Sequence, residues 1–139
     1  MNSAANSPEG AVECFLNSFD SEQPKCLVNE AEFKKEYYPR APVRHRQPTK
    51  GDPNAAWQIE GSFREVVSDR IREFMRSGGP VRVEAILPNR KNEESGGMTL
   101  IYPGSIKLKS SSQISELTYV KLIVGANGKY KVASLGPGD

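Results

Sequence analysis

The sequence feature that most constrains the fold is a hairpin signature near the C-terminal end. Two runs rich in β-branched and aromatic residues, 117–124 and 129–135, flank the dipeptide Asn127-Gly128. This dipeptide readily adopts the positive φ angles that a tight turn between antiparallel strands requires, so the sequence predicts a hairpin over 117–135. Alternation along the two strands divides their side chains between two sides. We expect the side that faces the helices to carry Val120, Leu122, Val124 and Val132, and the outer side or rim to carry Leu117 and Lys121.

The front half of the chain has helical patterns. Ser7-Pro8-Glu9 is a typical helix start, because it combines an N-cap hydroxyl, a proline in the first turn and an acid near the positive end of the helix dipole. A second helix is expected from Asn29, whose capping box with Glu32 precedes a helical stretch to about Tyr38. A third helix begins near residues 52–54. Its predicted apolar positions are Phe63, Val66, Val67, Ile71, Phe74 and Met75.

Four prolines punctuate the polar segment that joins the second and third helices. Because proline disfavours helix and sheet interiors, we predict a surface loop over residues 40–53 with no catalytic duty. His45 lies in this segment between Arg44 and Arg46. Their positive charges disfavour the protonated imidazole, and we expect a solvated side chain.

The hydrophobic pattern changes after Pro80 from a helical period to alternation. Residues 81–87 alternate as a half-buried strand, 98–102 and 105–109 are short strand candidates, and a charged loop is expected over 89–97. Helices followed by antiparallel strands predict an α+β class, with the N-terminal helices packed on one face of a curved, mostly antiparallel sheet. We expect a single domain over residues 7–136, preceded by a disordered polar leader over residues 1–6.

Two stretches resemble the nuclear transport factor two-like superfamily, which includes SnoaL-like and ketosteroid-isomerase-like proteins with a cystatin-like cone. Residues 7–19, SPEGAVECFLNSF, are similar to its opening helix. Residues 120–135, VKLIVGANGKYKVASL, are similar to its last hairpin, in which Gly-Lys-aromatic-Lys-Val leads into the final strand. More narrowly, the chain resembles small exported or lipid-anchored bacterial members with no assigned chemistry. The resemblance implies a cone-shaped fold whose open mouth, between helices and sheet, is the default ligand site.

Charge and composition argue against several classes of function. Nineteen basic and seventeen acidic residues leave a net charge of +2, so no nucleic-acid partner is expected. One histidine and two cysteines, without a Cys-x-x-Cys motif, predict neither a metal site nor another cofactor. No apolar run approaches the roughly eighteen residues of a transmembrane helix. The polar start has no signal-peptide pattern, and we interpret it as a leader or as the sequence that follows a removed export signal.

The candidate site residues are aromatic. Tyr37, Tyr38, Trp57 and Tyr102 are predicted to bind a ligand at the mouth of the pocket. No catalytic residue is assigned, because the strand positions predicted to point inward are almost all apolar. Three acids of the third helix lie on its polar side, where we expect solvated charges; they are Glu60, Glu65 and Asp69.

The two cysteines leave two states open. Cys14 and Cys26 either form a disulfide, which suits an exported protein, or remain buried free thiols, which the general habits of cysteine favour.

We expect a non-catalytic binding or accessory domain of a bacterial envelope or secreted protein. Its expected partner is a small apolar ligand or an envelope protein, and the sheet offers a surface for a homodimer. The alternatives are a small-molecule enzyme of SnoaL or ketosteroid-isomerase type that uses the cone cavity, and a cytoplasmic location.

Overall fold

Helices precede strands in the computed structural model of the chain, which describes residues 4–19, 24–76, 80–110 and 113–137. The predicted α+β class is therefore confirmed. The α-helices are α1 Pro8–Asn17, α2 Glu30–Glu32, α3 Val43–Arg46 and α4 Pro53–Arg76. The strands are β1 Val81–Pro88, β2 Glu93–Ser95, β3 Met98–Ile101, β4 Pro103–Ser110, β5 Gln113–Leu117, β6 Val120–Ala126 and β7 Lys129–Leu135.

The caps and the turn predicted from short motifs are confirmed. The backbone N–H of Gly10 donates to the Ser7 hydroxyl at 2.9 Å, at the start of α1. The capping box of α2 is complete, because the Asn29 side chain accepts from the backbone N–H of Glu32 at 2.9 Å and the Glu32 side chain accepts from that of Asn29 at 3.2 Å. The turn between β6 and β7 has φ angles of 54° at Asn127 and 74° at Gly128. Each feature depends on contacts within a few residues, which the sequence displays directly.

The predicted loop over residues 40–53 is wrong, because much of it is helical. After α2 the chain continues through a π-helical turn, Phe33–Tyr37, and a 3-10 turn, Tyr38–Arg40, and a second 3-10 turn, Gln47–Thr49, follows α3. The prolines do not prevent these turns. Pro42 precedes α3, and Pro48 lies in the first turn of the second 3-10 helix. At helix starts the missing N–H of proline breaks no hydrogen bond.

The strands form two antiparallel sheets, with orders β1-β4-β5 and β2-β3-β6-β7. Strand β2 lies inside the region 89–97 that was expected to be a charged loop. Leu117 pairs with Ile106 in the first sheet and is 1 % exposed, so its predicted place on the outer side or rim is wrong. The pattern placed it in the wrong element, since β5 ends there and β6 begins three residues later.

The outer edge of β7 is covered by two isolated bridges. Ala5 exchanges two backbone hydrogen bonds with Tyr130, at 3.0 and 2.7 Å, and Leu27 bridges Val132 in parallel orientation. The predicted disorder over residues 1–6 is therefore wrong at Ala5, whose backbone donor and acceptor are both paired. Residues 1–3 of that expected leader lie outside the described residues.

Two β-bulges in the β6–β7 pair divide the hairpin between two hydrophobic clusters. The register shifts between Val120 and Leu122, and again between Leu122 and Ile123. Val120, Ile123 and Val132 consequently pack in a first cluster, while Leu122 and Val124 pack in a second. The expectation of one common inward face is wrong, because each bulge changes the side to which the following residues point.

Helix α4 contributes to both clusters. Its C-terminal half packs Val67 and Ile71 into the first cluster with α1, and its N-terminal half packs Trp57 against the second. The predicted burial of Phe63 and Val66 is wrong, since they are 41 % and 55 % exposed. No helix among the described residues has both the length and the apolar composition needed to cross a membrane.

A disulfide joins Cys14 of α1 to Cys26, with a Cα–Cα distance of 5.9 Å. Of the two states that the sequence leaves open, the structure therefore has the disulfide. The carbonyl of Cys26 accepts from the backbone N–H of Val132 at 2.7 Å. The bond thus ties α1 to the segment that runs beside β7.

Candidate functional site

A cavity of about 360 Å³ lies between the N-terminal half of α4, the turns of residues 33–49 and the β6–β7 hairpin. This volume is at the lower end of the range that is usual for small-molecule sites. Aromatic and apolar side chains dominate the lining; they include Phe33, Tyr37, Tyr38, Ala56, Phe63 and Leu122. A smaller polar group consists of His45, Thr49, Glu60, Lys121 and Ser134.

The π-helical turn is the local structure that brings two aromatic rings to this cavity. Phe33 and Tyr37 lie four residues apart at its ends, with ring centroids 5.4 Å apart, and both are buried. Tyr38 follows at once, and its hydroxyl contacts the Thr49 hydroxyl at 2.5 Å. Turns of this type occur frequently at functional sites, where the extra residue redirects side chains.

A hydrogen-bonded chain runs along one side of the cavity through Tyr37, His45, Tyr102 and Glu93; we call it the His45 chain. The Tyr37 hydroxyl lies 3.2 Å from Nδ1 of His45, and the Tyr102 hydroxyl lies 3.2 Å from Nε2. Tyr102 donates to Glu93 Oε1 at 2.6 Å. Because the Tyr102 proton is used in that bond, His45 must donate through Nε2–H, and its Nδ1 accepts from Tyr37.

An arginine fixes the far end of the His45 chain. Nη1 and Nη2 of Arg44 donate to the two carboxylate oxygens of Glu93 at 2.5 and 2.6 Å, and Nη2 also donates to the Tyr102 hydroxyl at 3.0 Å. The hydrogen bonds from Arg44 and then from Tyr102 lower the pKa of Glu93 to about 2. Glu93 is therefore ionised at neutral pH and holds Tyr102 as its donor.

The other three titratable groups of the His45 chain, His45, Tyr37 and Tyr102, are held in their neutral forms. Burial, followed by the charge of Arg44, lowers the pKa of His45. Burial and then the hydrogen bond to Glu93 raise the pKa of Tyr102 to about 12, and burial chiefly raises that of Tyr37. The expectation of a solvated His45 is wrong, because the imidazole is half-buried and both ring nitrogens have partners. The predicted direction of its pKa shift is confirmed, with burial as the larger cause.

A buried ion pair lies at the opposite side of the cavity. Glu60 is 6 % exposed, so its expected place among the solvated acids is wrong, whereas Glu65 and Asp69 are exposed as expected. The Glu60 carboxylate accepts from Nε of Arg64 at 2.9 Å, from the Ser134 hydroxyl and from the backbone N–H of Leu135. Arg64 neutralises the charge and the three donors together satisfy the oxygens, which explains how a carboxylate is accommodated there.

Arg64 is held as firmly as its partner. Its Nη1 and Nη2 donate to the carbonyls of Val28 and Ala133 at 2.7 and 3.1 Å, and its guanidinium lies 4.7 Å from the centre of the Trp57 ring. The i,i+4 spacing of Glu60 and Arg64 is visible in the sequence. Their burial is not, because it depends on β7, some seventy residues further along the chain.

The structure brings three of the four predicted site residues to this cavity. Tyr37, Tyr38 and Tyr102 line it. Trp57 does not line it and packs instead against Phe33, with ring centroids 5.2 Å apart, and under Arg64. The neighbouring residue Ala56 lines the cavity instead, since adjacent helical positions point in different directions.

The sequence pattern missed the polar members of the site. His45, Glu60, Lys121 and Ser134 reach the cavity from four separate elements, and no short motif connects them. Within the part of the chain that the structure describes, no three His, Cys, Asp or Glu side chains are grouped closely enough to hold a metal ion. No family model matches the chain, and neither does any curated protein or solved structure with which it was compared.

Proposed function

We propose that the protein is a non-catalytic binding domain that holds a small, largely apolar molecule in the cavity between α4 and the β6–β7 hairpin. The observation that carries this proposal is the lining itself. Aromatic and apolar side chains form most of it, and a few polar groups with fixed orientation lie among them. Small-molecule sites typically have this composition, in which apolar burial supplies affinity and the polar groups select the ligand.

The state of the acid–base groups supports binding over catalysis. A general base needs a free lone pair that faces the ligand and a pKa near the working pH. Both nitrogens of His45 are already hydrogen-bonded, and the carboxylate of Glu60 accepts from three donors. The hydroxyls of Tyr37 and Tyr102 are held protonated by their raised pKa values.

The proposed location is the bacterial envelope or the extracellular space. Two observations support it: the disulfide between Cys14 and Cys26, and the resemblance to small exported or lipid-anchored bacterial proteins of the nuclear transport factor two-like superfamily. Disulfides persist in oxidising compartments and are rare where thiols are kept reduced.

A binding experiment with a filled-cavity variant tests the proposal. We expect 2-naphthol, followed by its own fluorescence, to bind the oxidised full chain and to be weakened at least tenfold by Ala56→Leu. Ala56 lines the cavity, and the larger side chain occupies part of it. Ala55→Leu is the matched control, because Ala55 is not among the lining residues, and it should leave the affinity unchanged.

Two results would contradict the binding function. One is the absence of saturable 2-naphthol binding to the unsubstituted protein, when that protein unfolds cooperatively. The other is an equal loss of affinity in both alanine variants, which would place the probe elsewhere. Thermal unfolding of each variant identifies any loss that arises from misfolding.

The alternative is a small-molecule enzyme of the SnoaL or ketosteroid-isomerase type. The His45 chain favours it, because Tyr37, His45 and Tyr102 all line the cavity and are linked by hydrogen bonds. A turnover that is found for the protein and is abolished by His45→Gln, with ligand affinity retained, would favour the enzyme. Retained turnover in that variant would exclude the His45 chain as its origin.

A further inference from the structure

Strand β6 departs from a regular pleat at one residue of the cavity wall. Val120 pairs with Leu135 and Leu122 pairs with Ser134, so Lys121 is the extra residue of a β-bulge. Successive side chains of a regular strand point to opposite faces of the sheet. Lys121 and Leu122 nevertheless line the same cavity. The bulge therefore directs a lysine into a cavity that is otherwise mostly apolar and aromatic, as bulges beside functional sites do.

The stem of this lysine is positioned by a glycine. The methylene groups of Lys121 pass over Gly136, where an added Cβ would lie 3.0 Å from Cγ and 3.3 Å from Cε. Gly136 is itself fixed, because its backbone N–H donates to the carbonyl of Tyr119 at 2.9 Å. The side chain of Lys121 is half-buried as a result, rather than extended freely into solvent.

The charge of Lys121 has no counterpart within the described ranges. No carboxylate there lies within 4.0 Å of its ammonium group, whereas the ion pairs that are present use other cations. The remaining charged group of the lining, Glu60, is already neutralised by Arg64. The low pKa of His45 keeps the imidazole uncharged. A cation without a partner beside a mostly apolar cavity favours an anion there, because opposite charges attract more strongly at the low dielectric of a protein interior than in water.

We propose that the cavity takes a small apolar carboxylate, whose anionic group pairs with the ammonium of Lys121. This inference rests on the proposed binding function and narrows its ligand class. A single lysine balances a single negative charge, which suits a carboxylate. Sites for phosphate dianions usually combine several donors, such as arginine forks and helix N-termini. The apolar part of the ligand lies against the aromatic rings and Leu122.

Calorimetric titration of the oxidised full chain with two isosteric probes tests the charge requirement. We expect 2-naphthoate to bind at least tenfold more tightly than the neutral 2-naphthamide, a difference of about 1.4 kcal/mol. Lys121→Met should reduce the affinity for 2-naphthoate to that for the amide. Its affinity for the amide should stay within about twofold of the value for the unsubstituted protein. Lys107→Met removes the same charge from an exposed position of β4 and should change neither affinity.

The possible failures are distinguishable. Equal affinities for the two probes, an unchanged preference in Lys121→Met, or tighter binding of 2-naphthyl phosphate than of 2-naphthoate would overturn the carboxylate inference. In each of those cases the binding function itself survives, because the amide still occupies the cavity. If neither the amide nor 2-naphthol binds at millimolar concentration, the binding function fails and this inference fails with it.

Discussion

Replacement of Glu60 by alanine removes the acceptor on which a buried polar cluster depends. Its carboxylate accepts from Arg64 at 2.9 Å, from Ser134 at 2.7 Å and from the backbone N–H of Leu135 at 3.0 Å. The side chains of Glu60 and Arg64 are only 7 % and 14 % exposed. In the variant the guanidinium stays buried without a carboxylate, and two further donors lose their acceptor.

The expected cost is large for a single substitution. Removal of one partner of a buried ion pair costs about 3–5 kcal/mol, because the remaining charge is not compensated. Arg64 keeps the carbonyls of Val28 and Ala133 and the face of Trp57, which places the loss near the lower limit. We therefore expect a loss of about 3 kcal/mol in the free energy of unfolding, or roughly 10 °C in Tm.

Urea unfolding of the oxidised protein measures this loss as a lower urea midpoint, with no change in the dependence of the free energy of unfolding on urea concentration. The control is Glu65→Ala, an exposed acid of the same helix, with an expected change within about 0.5 kcal/mol. The double variant Glu60→Leu/Arg64→Met should recover only part of the lost stability, because it removes both charges but leaves the Ser134 hydroxyl, the Leu135 N–H and the carbonyls of Val28 and Ala133 without these partners. A loss below about 1 kcal/mol for Glu60→Ala, close to that of the control, would refute the reasoning that the pair is buried and coupled.

Three further predictions concern His45, the disulfide and the core. The pKa of His45 is lower in the folded protein than its ordinary 6.5, so the unfolded state binds the proton first, and the contribution of neutral His45 to stability is complete above about pH 6.5 and declines below it. His45→Gln should therefore flatten the fall in urea midpoint between about pH 7.5 and about pH 5. The same fall in the variant and in the unsubstituted protein would contradict this prediction. Cys14→Ser/Cys26→Ser should lower the free energy of unfolding by about 3 kcal/mol by releasing a constraint on the unfolded chain, and an unchanged urea midpoint would argue against it. Leu108→Ala should lower the free energy of unfolding by about 3–4 kcal/mol and Leu122→Ala by about 2 kcal/mol, because Leu122 borders an existing cavity whereas Leu108 is fully packed. A lower urea midpoint for Leu122→Ala than for Leu108→Ala would show that the cavity is misplaced.

The sequence by itself determined the elements that depend on near neighbours. The Ser7 cap, the capping box of Asn29 and Glu32, and the Asn127-Gly128 turn were predicted and are present. Together with the change of hydrophobic period after Pro80, they were sufficient for the α+β class. Each joins groups a few residues apart, so its free energy depends little on the remainder of the chain.

The tertiary structure alone decided which side chains meet at the cavity. His45 is hydrogen-bonded because Tyr37 and Tyr102 lie beside it, and its pKa is lowered chiefly by burial; Glu60 is buried where β7 supplies two of its donors. The same holds for the direction of strand side chains: a register shift before Ala85 leaves Leu87 43 % exposed, and another directs Lys121 into the cavity. Burial and bulges depend on pairing between segments distant in sequence, whereas alternation assumes an unbroken pleat. For that reason the sequence predicted the helices and the hairpin but not the polar groups of the site.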